Sequence, residues 1–429
     1  MIRCRKLLAA VAVTILVAAA GACSTQDAPA GSGTSGEKPT LTIWMPSLSA
    51  KNAKEYPKKF PGANVSVVEI PDPFEANLLT KWAAGERPDV LYFHGIGNWL
   101  AQLNPAKNLV DLSSQPFVAR TKEGILDNST EWDAKIYGAV VDYPGVDGML
   151  YNKPVFDKLN LDVPTNVEEV IQLCTTIREK SPKTIPIDIA GGDKWPLQIF
   201  AFNIFNDGIR ANPDIIEQIN QNKASFTDET FMRGYEGLKK AYDAKCFADD
   251  VKTGTFENTQ KRIVSGAAAM TPVISPIVQI LLDGFEREKV DNLHFFPFSY
   301  QTTVSSWQST GQAIYVPINT DTTKQDAAIA YVNWITGDGY QGYVDGSAQL
   351  PVIEGATPPD DLTAVFTEAN DAFEANTVPQ FQQNLKATYG EFQDYLADMM
   401  FNGKSPEDVG KSMQSTFARN AQAQGLPGW

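Results

Sequence analysis

The chain has 429 residues, 43% of them hydrophobic and 20% charged, with a formal net charge of −15. That length holds two domains of ordinary size, each with its own core, and the composition is that of a globular protein. The acidity disfavours nucleic acid and anionic lipid as partners, and beyond the N-terminus no stretch is long and apolar enough to span a membrane as a helix.

The first residues read as an export signal. Arg3, Arg5 and Lys6 form a positive start, Leu7 to Ala19 an apolar run too short and Ala-rich for a span, and Ala20-Gly21-Ala22 a small-residue end before Cys23. This resembles a bacterial lipoprotein signal, in which cleavage precedes the cysteine and the thiol is lipidated. Ala20 stands where that motif prefers a larger apolar residue, and ordinary cleavage near Ala22 is the alternative. Either route exports the chain. Loss of three cations with the signal takes the charge from −15 to about −18. Residues 23–39, rich in Gly, Ser, Ala, Thr and Pro, read as a flexible tether behind a signal at 1–22.

Folded structure is expected from Leu41-Thr42-Ile43-Trp44-Met45, an alternating strand. Val65 to Val68 is a second strand, Glu75 to Ala84 a helix, and Val90 to Phe93 a buried strand ending at His94-Gly95. Strands alternating with helices predict an α/β fold with a largely parallel sheet, whose ligand lies beyond the carboxyl ends of the strands. Those ends are Met45-Pro46-Ser47 and Phe93-His94-Gly95.

Further along, Tyr137 to Val141 and Gly148 to Lys153 read as strands. Thr165 and Glu168 form a T-x-x-E capping box that opens a helix with Val167, Val170, Ile171 and Cys174 on one face. Phe231, Leu238 and Tyr242 mark another helix, ending near Cys246. Ala328, Tyr331, Val332 and Ile335 mark one that stops at Gly337, and the chain is mostly helical from about Leu362. Of four cysteines, Cys4 leaves with the signal and Cys23 would carry lipid. Cys174 and Cys246 remain, either bridged, as export permits, or two buried thiols.

Several segments together resemble one family, the extracellular solute-binding proteins of ABC importers, in particular the sugar-binding group that includes maltose-binding protein. The opening strand with Trp44 is similar to the family's first strand. "GERPDVLYF" resembles its G-x-x-P-D-[VI] segment, and "KIYGAVVDYPGVDGMLYNKPVF" its K-x-Y-G-x-P…L-x-Y-N-K signature. "LNLDVPTNVEEVIQLCTTI" resembles the P-x-T-W-x-E segment, with Asn166-Val167 at the usual T-W region. "RIVSGAAAM" resembles F-x-x-G-x-A-A-M, and "QTTVSSWQSTGQAIYVP" the return strand.

The resemblance implies a two-lobed periplasmic-binding fold (type II), each lobe a sheet flanked by helices, with the ligand between them and hinge closure on binding. Lobe 1 is expected over 40–142 and 303–337, lobe 2 over 143–302 and 338–429. The crossings fall near Asp142 to Asp147 and Phe298 to Thr303.

A sugar offers C–H faces and a belt of hydroxyls, so its site needs flat aromatic rings and polar side chains. By the family match Asp193 would accept hydroxyls and Trp195 would stack. Trp307 in its polar loop is a further stacking candidate. Trp44, Ser47 and His94 stand near strand ends, and Tyr143 at the first crossing. For Trp44, His94 and Tyr143, packing under a helix, turn capping and hinge packing are the respective alternatives. Maltose-binding relatives carry Trp after A-A-M, whereas Met270 to Pro276 here holds no aromatic, which counts against maltodextrin.

With His94 and His294 the only histidines and no H-E-x-x-H or G-x-S-x-G motif, catalysis and metal binding have little support. The expectation is a non-enzymatic, cofactor-free, monomeric lipoprotein. It would sit on the outer face of the cell membrane and deliver a carbohydrate to ABC permease transmembrane subunits. A receptor for a peptide or polyamine, and an exported glycosidase working through two carboxylates, are the alternatives.

Overall fold

The computed structural model describes residues 38–429, apart from the side chains at 309–312. Cys23 and the expected signal and tether residues up to 37 lie outside the described residues.

Nine strands position the site. They are β1 (Thr40–Pro46), β2 (Asn64–Ile70), β3 (Val90–Gly95), β4 (Gly145–Asn152), β5 (Ile185–Ile187), β6 (Ala268–Ile274), β7 (Leu293–Phe296), β8 (Ser305–Tyr315) and β9 (Thr377–Pro379). Their path is β2-β1-β3-β8-β4-β6-β5, with β7 paired to β4 and β9 to β8. The expected largely parallel sheet is corrected to a mixed one. β1 runs parallel to β2 and β3, and β5 to β6, because helix-bearing crossovers join or precede those strands. β8 instead returns from far along the chain and pairs antiparallel with both β3 and β4.

β8 joins the two halves of the molecule. Its C-terminal part pairs with β3, while Trp307 and Gln308 pair with Val146 and Gly145 of β4. On one side of this junction Leu41, Ile43, Leu78, Phe93 and Tyr331 belong to a first fully buried core. On the other, Ile177, Phe200, Phe205, Phe231 and Leu396 belong to a second. Beyond Gly337, Tyr340, Tyr343, Val344, Val352 and Ile353 also pack in the first core. The result is a mixed α/β protein of two sheet-containing lobes.

Local chemistry explains several boundaries. The helix expected at the capping box spans Val167–Lys180, but its cap is Asn166, not Thr165. The Asn166 side chain accepts from the Glu169 N–H, and Glu169 reaches back to Thr165. The motif is shifted by one residue because Asn is at least as good a cap as Thr. Val167, Val170, Ile171 and Cys174 are buried as the periodicity predicts. Cys174 and Cys246 form a disulfide, with Cα atoms 5.1 Å apart. Of the expected strand Tyr137 to Val141, only Gly138–Ala139 is paired. β9, inside the C-terminal stretch read as mostly helical, was not legible: three residues without alternation become a strand only because β8 offers an edge.

Candidate functional site

A cavity of about 240 Å³ lies between the two cores. One wall is the turn after β1, with Leu48, Ser49, Ala50 and Ala53. The opposite wall holds Trp195, Ile199 and Phe256, then Pro272 to Ile274 and the start of the helix Ile277–Gly284, where Val273 and Ile277 pack in a third cluster with Val146 and Leu150. Tyr92 of β3 and Asp142 also contribute. The position after β1 is where α/β geometry places a ligand.

Trp195 is presented by a strained turn. Lys194 has φ of 64°, a left-handed value for a non-glycine residue, and the Trp195 N–H bonds back to the Asp193 carbonyl at 2.7 Å. Helix Pro196–Ala211 starts immediately after, with Pro at its first position. Trp195 is half-buried, and its ring meets the edge of Phe256 at 4.9 Å between centroids. Asp193 Oδ2 accepts the Phe256 N–H at 2.6 Å, so this carboxylate orients the aromatic wall.

Asp142 sits where the chain leaves the first core. Its Oδ1 accepts from the Tyr343 hydroxyl at 2.6 Å and the Gln349 Nε2 at 2.8 Å. Burial pushes its carboxyl above the ordinary range, against the opposing effect of those two bonds. Gln349 Oε1 in turn accepts from Gln279 Nε2 of the opposite wall at 3.3 Å. At the rim, the Lys51 N–H donates to Asp283 Oδ2 at 2.6 Å. Both links join residues on opposite sides of the cavity. Ser275 anchors its turn to Val146 through two backbone-directed bonds, at 3.0 and 3.1 Å, which fixes the Pro272–Ile277 wall.

Carboxylates gather on the Asp193 side. His94 Nε2 and Glu75 Oε1 are 2.7 Å apart. Burial pushes the Glu75 carboxyl up, but the His94 hydrogen bond and charge outweigh it and hold it below its usual value. Asp72 is pushed up, first by burial and then by the charges of Glu75 and Asp193. Glu391 is likewise raised, by burial before the charges of Asp394 and Glu75.

Of the seven residues singled out from sequence, Trp195 lines the cavity and Asp193 supports it from behind. The others do not line it. Trp44 is 7% exposed in the first core, with Lys81 Nζ 5.5 Å from its ring centroid, because its strand is covered on both faces. Ser47 donates its N–H to the Ile70 carbonyl at 2.9 Å and holds the turn that presents Leu48. His94 packs on Phe74, Phe93 and Trp99. Tyr143 is buried and donates its hydroxyl to Asn370 at 2.6 Å. Trp307, expected in a polar loop, is inside β8, buried, with its edge on Phe373.

Sequence reading missed Asp142, Phe256, Leu48, Ser49, Ala50 and Ala53 as lining. A carboxylate directly after the apolar run Ala139-Val140-Val141 was the available signal for Asp142. The aromatic-free segment after Met270 forms the aliphatic wall. Among the described residues no group of three His, Cys, Asp or Glu could hold a metal ion.

Two α/β cores joined by a shared strand, with a cavity between them, define the class of two-lobed solute-binding proteins. The chain belongs to the bacterial extracellular solute-binding protein family, whose profile matches residues 38–342. It is similar to the "Multiple sugar-binding protein" of Streptococcus mutans, 25% identical over 153 residues, 36% of this chain and 35% of that one. It is also similar to the melibiose/raffinose/stachyose-binding protein of Bacillus subtilis, 27% identical over 170 residues, 37% of this chain and 38% of that one. The match thus spans little more than a third of these relatives. A solved chitin oligosaccharide binding protein shares the fold with a TM-score of 0.76, at 18% identity, over 90% of this chain and 100% of that one.

Proposed function

We propose that this protein is the substrate-binding component of an ABC importer and captures a carbohydrate between its lobes. Trp195 carries the reading: an aromatic ring on a strained turn, facing the cavity beside the Asp193 carboxylate. A flat ring against C–H faces with a nearby acceptor is the chemistry that a sugar needs. The relatives named for sugar binding support the same class.

Lobe 1 comprises 40–142 and 303–353 in this reading, and lobe 2 the segments 143–302 and 354–429. The packing of Tyr340 to Ile353 in the first core supports moving the second boundary from 337. Trp195 and Asp142 are the ligand-facing residues, Asp193 orients the aromatic wall behind them, and the bound sugar leaves chemically unchanged. The exported protein is held at the outer membrane face through lipidated Cys23, works as a monomer, and hands its ligand to permease transmembrane subunits.

Thermal-shift screening of the purified protein against a saccharide library tests the reading. A ligand at a hundred times its Kd adds about 2.7 kcal/mol of stability. No shift with any mono- or oligosaccharide, together with a shift for a peptide or polyamine, overturns it.

A further inference from the structure

The cavity is poorly matched to a fully hydroxylated ligand. Ten of its sixteen lining residues are aliphatic, including Leu48, Ile199, Val273, Ile274, Ile277 and Ile280. Most polar groups on the wall are already engaged. Ser49 Oγ donates to the Pro46 carbonyl at 2.9 Å, the Tyr92 and Tyr331 hydroxyls bond to each other, and Gln279 Nε2 is held by Gln349. Asp142 differs. Its Oδ1 carries both protein bonds, and among the described residues Oδ2 has none. A sugar hydroxyl buried against the aliphatic wall would lose its hydration with nothing in return. A hydrocarbon group there gains from leaving water.

We infer that the ligand is a glycoside with an apolar substituent: its sugar ring lies against Trp195, an alkyl or aryl group fills the cavity between Leu48 and Ile277, and Asp142 Oδ2 accepts one hydroxyl where the two parts meet. This rests on the carbohydrate reading and narrows its substrate class. The wall is built for it. Leu48 is 38% exposed, a large apolar side chain left at the cavity edge, and Ile277 and Ile280 are half-buried on the facing helix. A hydrocarbon between them completes packing that the protein leaves open. Pro272, Val273 and Ile274 extend the aliphatic surface on the same wall.

The test is calorimetry with paired methyl and n-hexyl glycosides of glucose, galactose, mannose and xylose, beside the free sugars and their oligosaccharides. For the sugar that binds, the hexyl glycoside should bind at least about tenfold tighter than the methyl glycoside, from the burial of added methylenes. Leu48→Asn and Ile277→Asn should abolish that preference, the hexyl glycoside losing at least about tenfold more affinity than the methyl glycoside. Leu48 lies on a surface turn, so its variant folds even if the other does not. Equal affinity for methyl and hexyl glycosides overturns the inference and leaves the carbohydrate reading intact. A preference that persists in Leu48→Asn and in a folded Ile277→Asn places the apolar group elsewhere and also overturns it. No binding by any free sugar or glycoside defeats the carbohydrate reading itself, and this inference with it.

Discussion

Gln380 donates its side-chain N–H to Oδ2 of Asp147 at 2.9 Å, tying the segment after β9 to β4 across 233 residues of sequence. Ser306 of β8 donates its hydroxyl to the same oxygen, so three crossing segments meet on one carboxyl group. Asp147 is 0% exposed, and its Oδ1 has no partner. Burial pushes its pKa up to about 7, the bonds from Ser306, Gln380 and Gln308 only partly opposing it.

A pH dependence of stability follows. The folded-state value lies above the unfolded one of 3.8, so between them the native state holds the extra proton. Stability contributed by this group is therefore full below about pH 4, declines as pH rises through about 7, and is then constant. Its full span is on the order of 4 kcal/mol. Asp147→Asn should flatten this part of the profile. Urea midpoints measured from pH 5 to pH 8 check it, and an unchanged slope in the variant removes Asp147 as the cause.

Trp195 and Trp44 should separate binding from folding. Trp195→Ala removes a half-buried ring facing the cavity and should weaken ligand binding by roughly thirtyfold, the size of a typical hot-spot loss. Its melting temperature should stay near wild type. Trp44→Ala, and likewise Trp307→Ala, empties a packed site and should cost about 3–5 kcal/mol of stability. Affinity and melting temperature measured on each variant decide this.

Asp283→Ala should speed ligand release. The Asp283 bond to the Lys51 N–H spans the cavity rim and exists only while the two sides are close. Asp283 is exposed, so the effect is modest, roughly threefold in off-rate, as for exposed charged contacts. Stopped-flow measurement of dissociation tests it, with the association rate expected to change little. An off-rate equal to wild type means that the rim contact carries no closing energy.

The Cys174–Cys246 bridge closes a 72-residue separation. In the chain-entropy account its loss should cost roughly 4 kcal/mol. The double variant Cys174→Ala/Cys246→Ala should melt well below wild type. Non-reducing mass analysis after alkylation should find neither thiol modified in the wild-type protein.

Local pattern alone determined much of the fold. Alternating or buried apolar runs marked β1 and β3, and i, i+3, i+4 spacing marked the faces of Val167–Lys180 and Thr322–Ile335, because each depends only on neighbours within a few residues. The family match singled out Trp195, which the turn before helix Pro196–Ala211 places on the cavity wall. Ordered motifs were enough to indicate a two-lobed binding protein.

Tertiary structure decided the rest. Trp307 lies in a polar stretch, yet β4 and β9 pair with its strand and Phe373 covers its ring, so it is buried by partners far away in the chain. The mixed direction of the sheet depends on β8 returning to β3, which periodicity does not encode. Asp142 became a cavity residue only because Tyr343 and Gln349 hold one oxygen and leave the other open. Which side chains line the space between two cores is set by how those cores meet, and no local spacing carries that information.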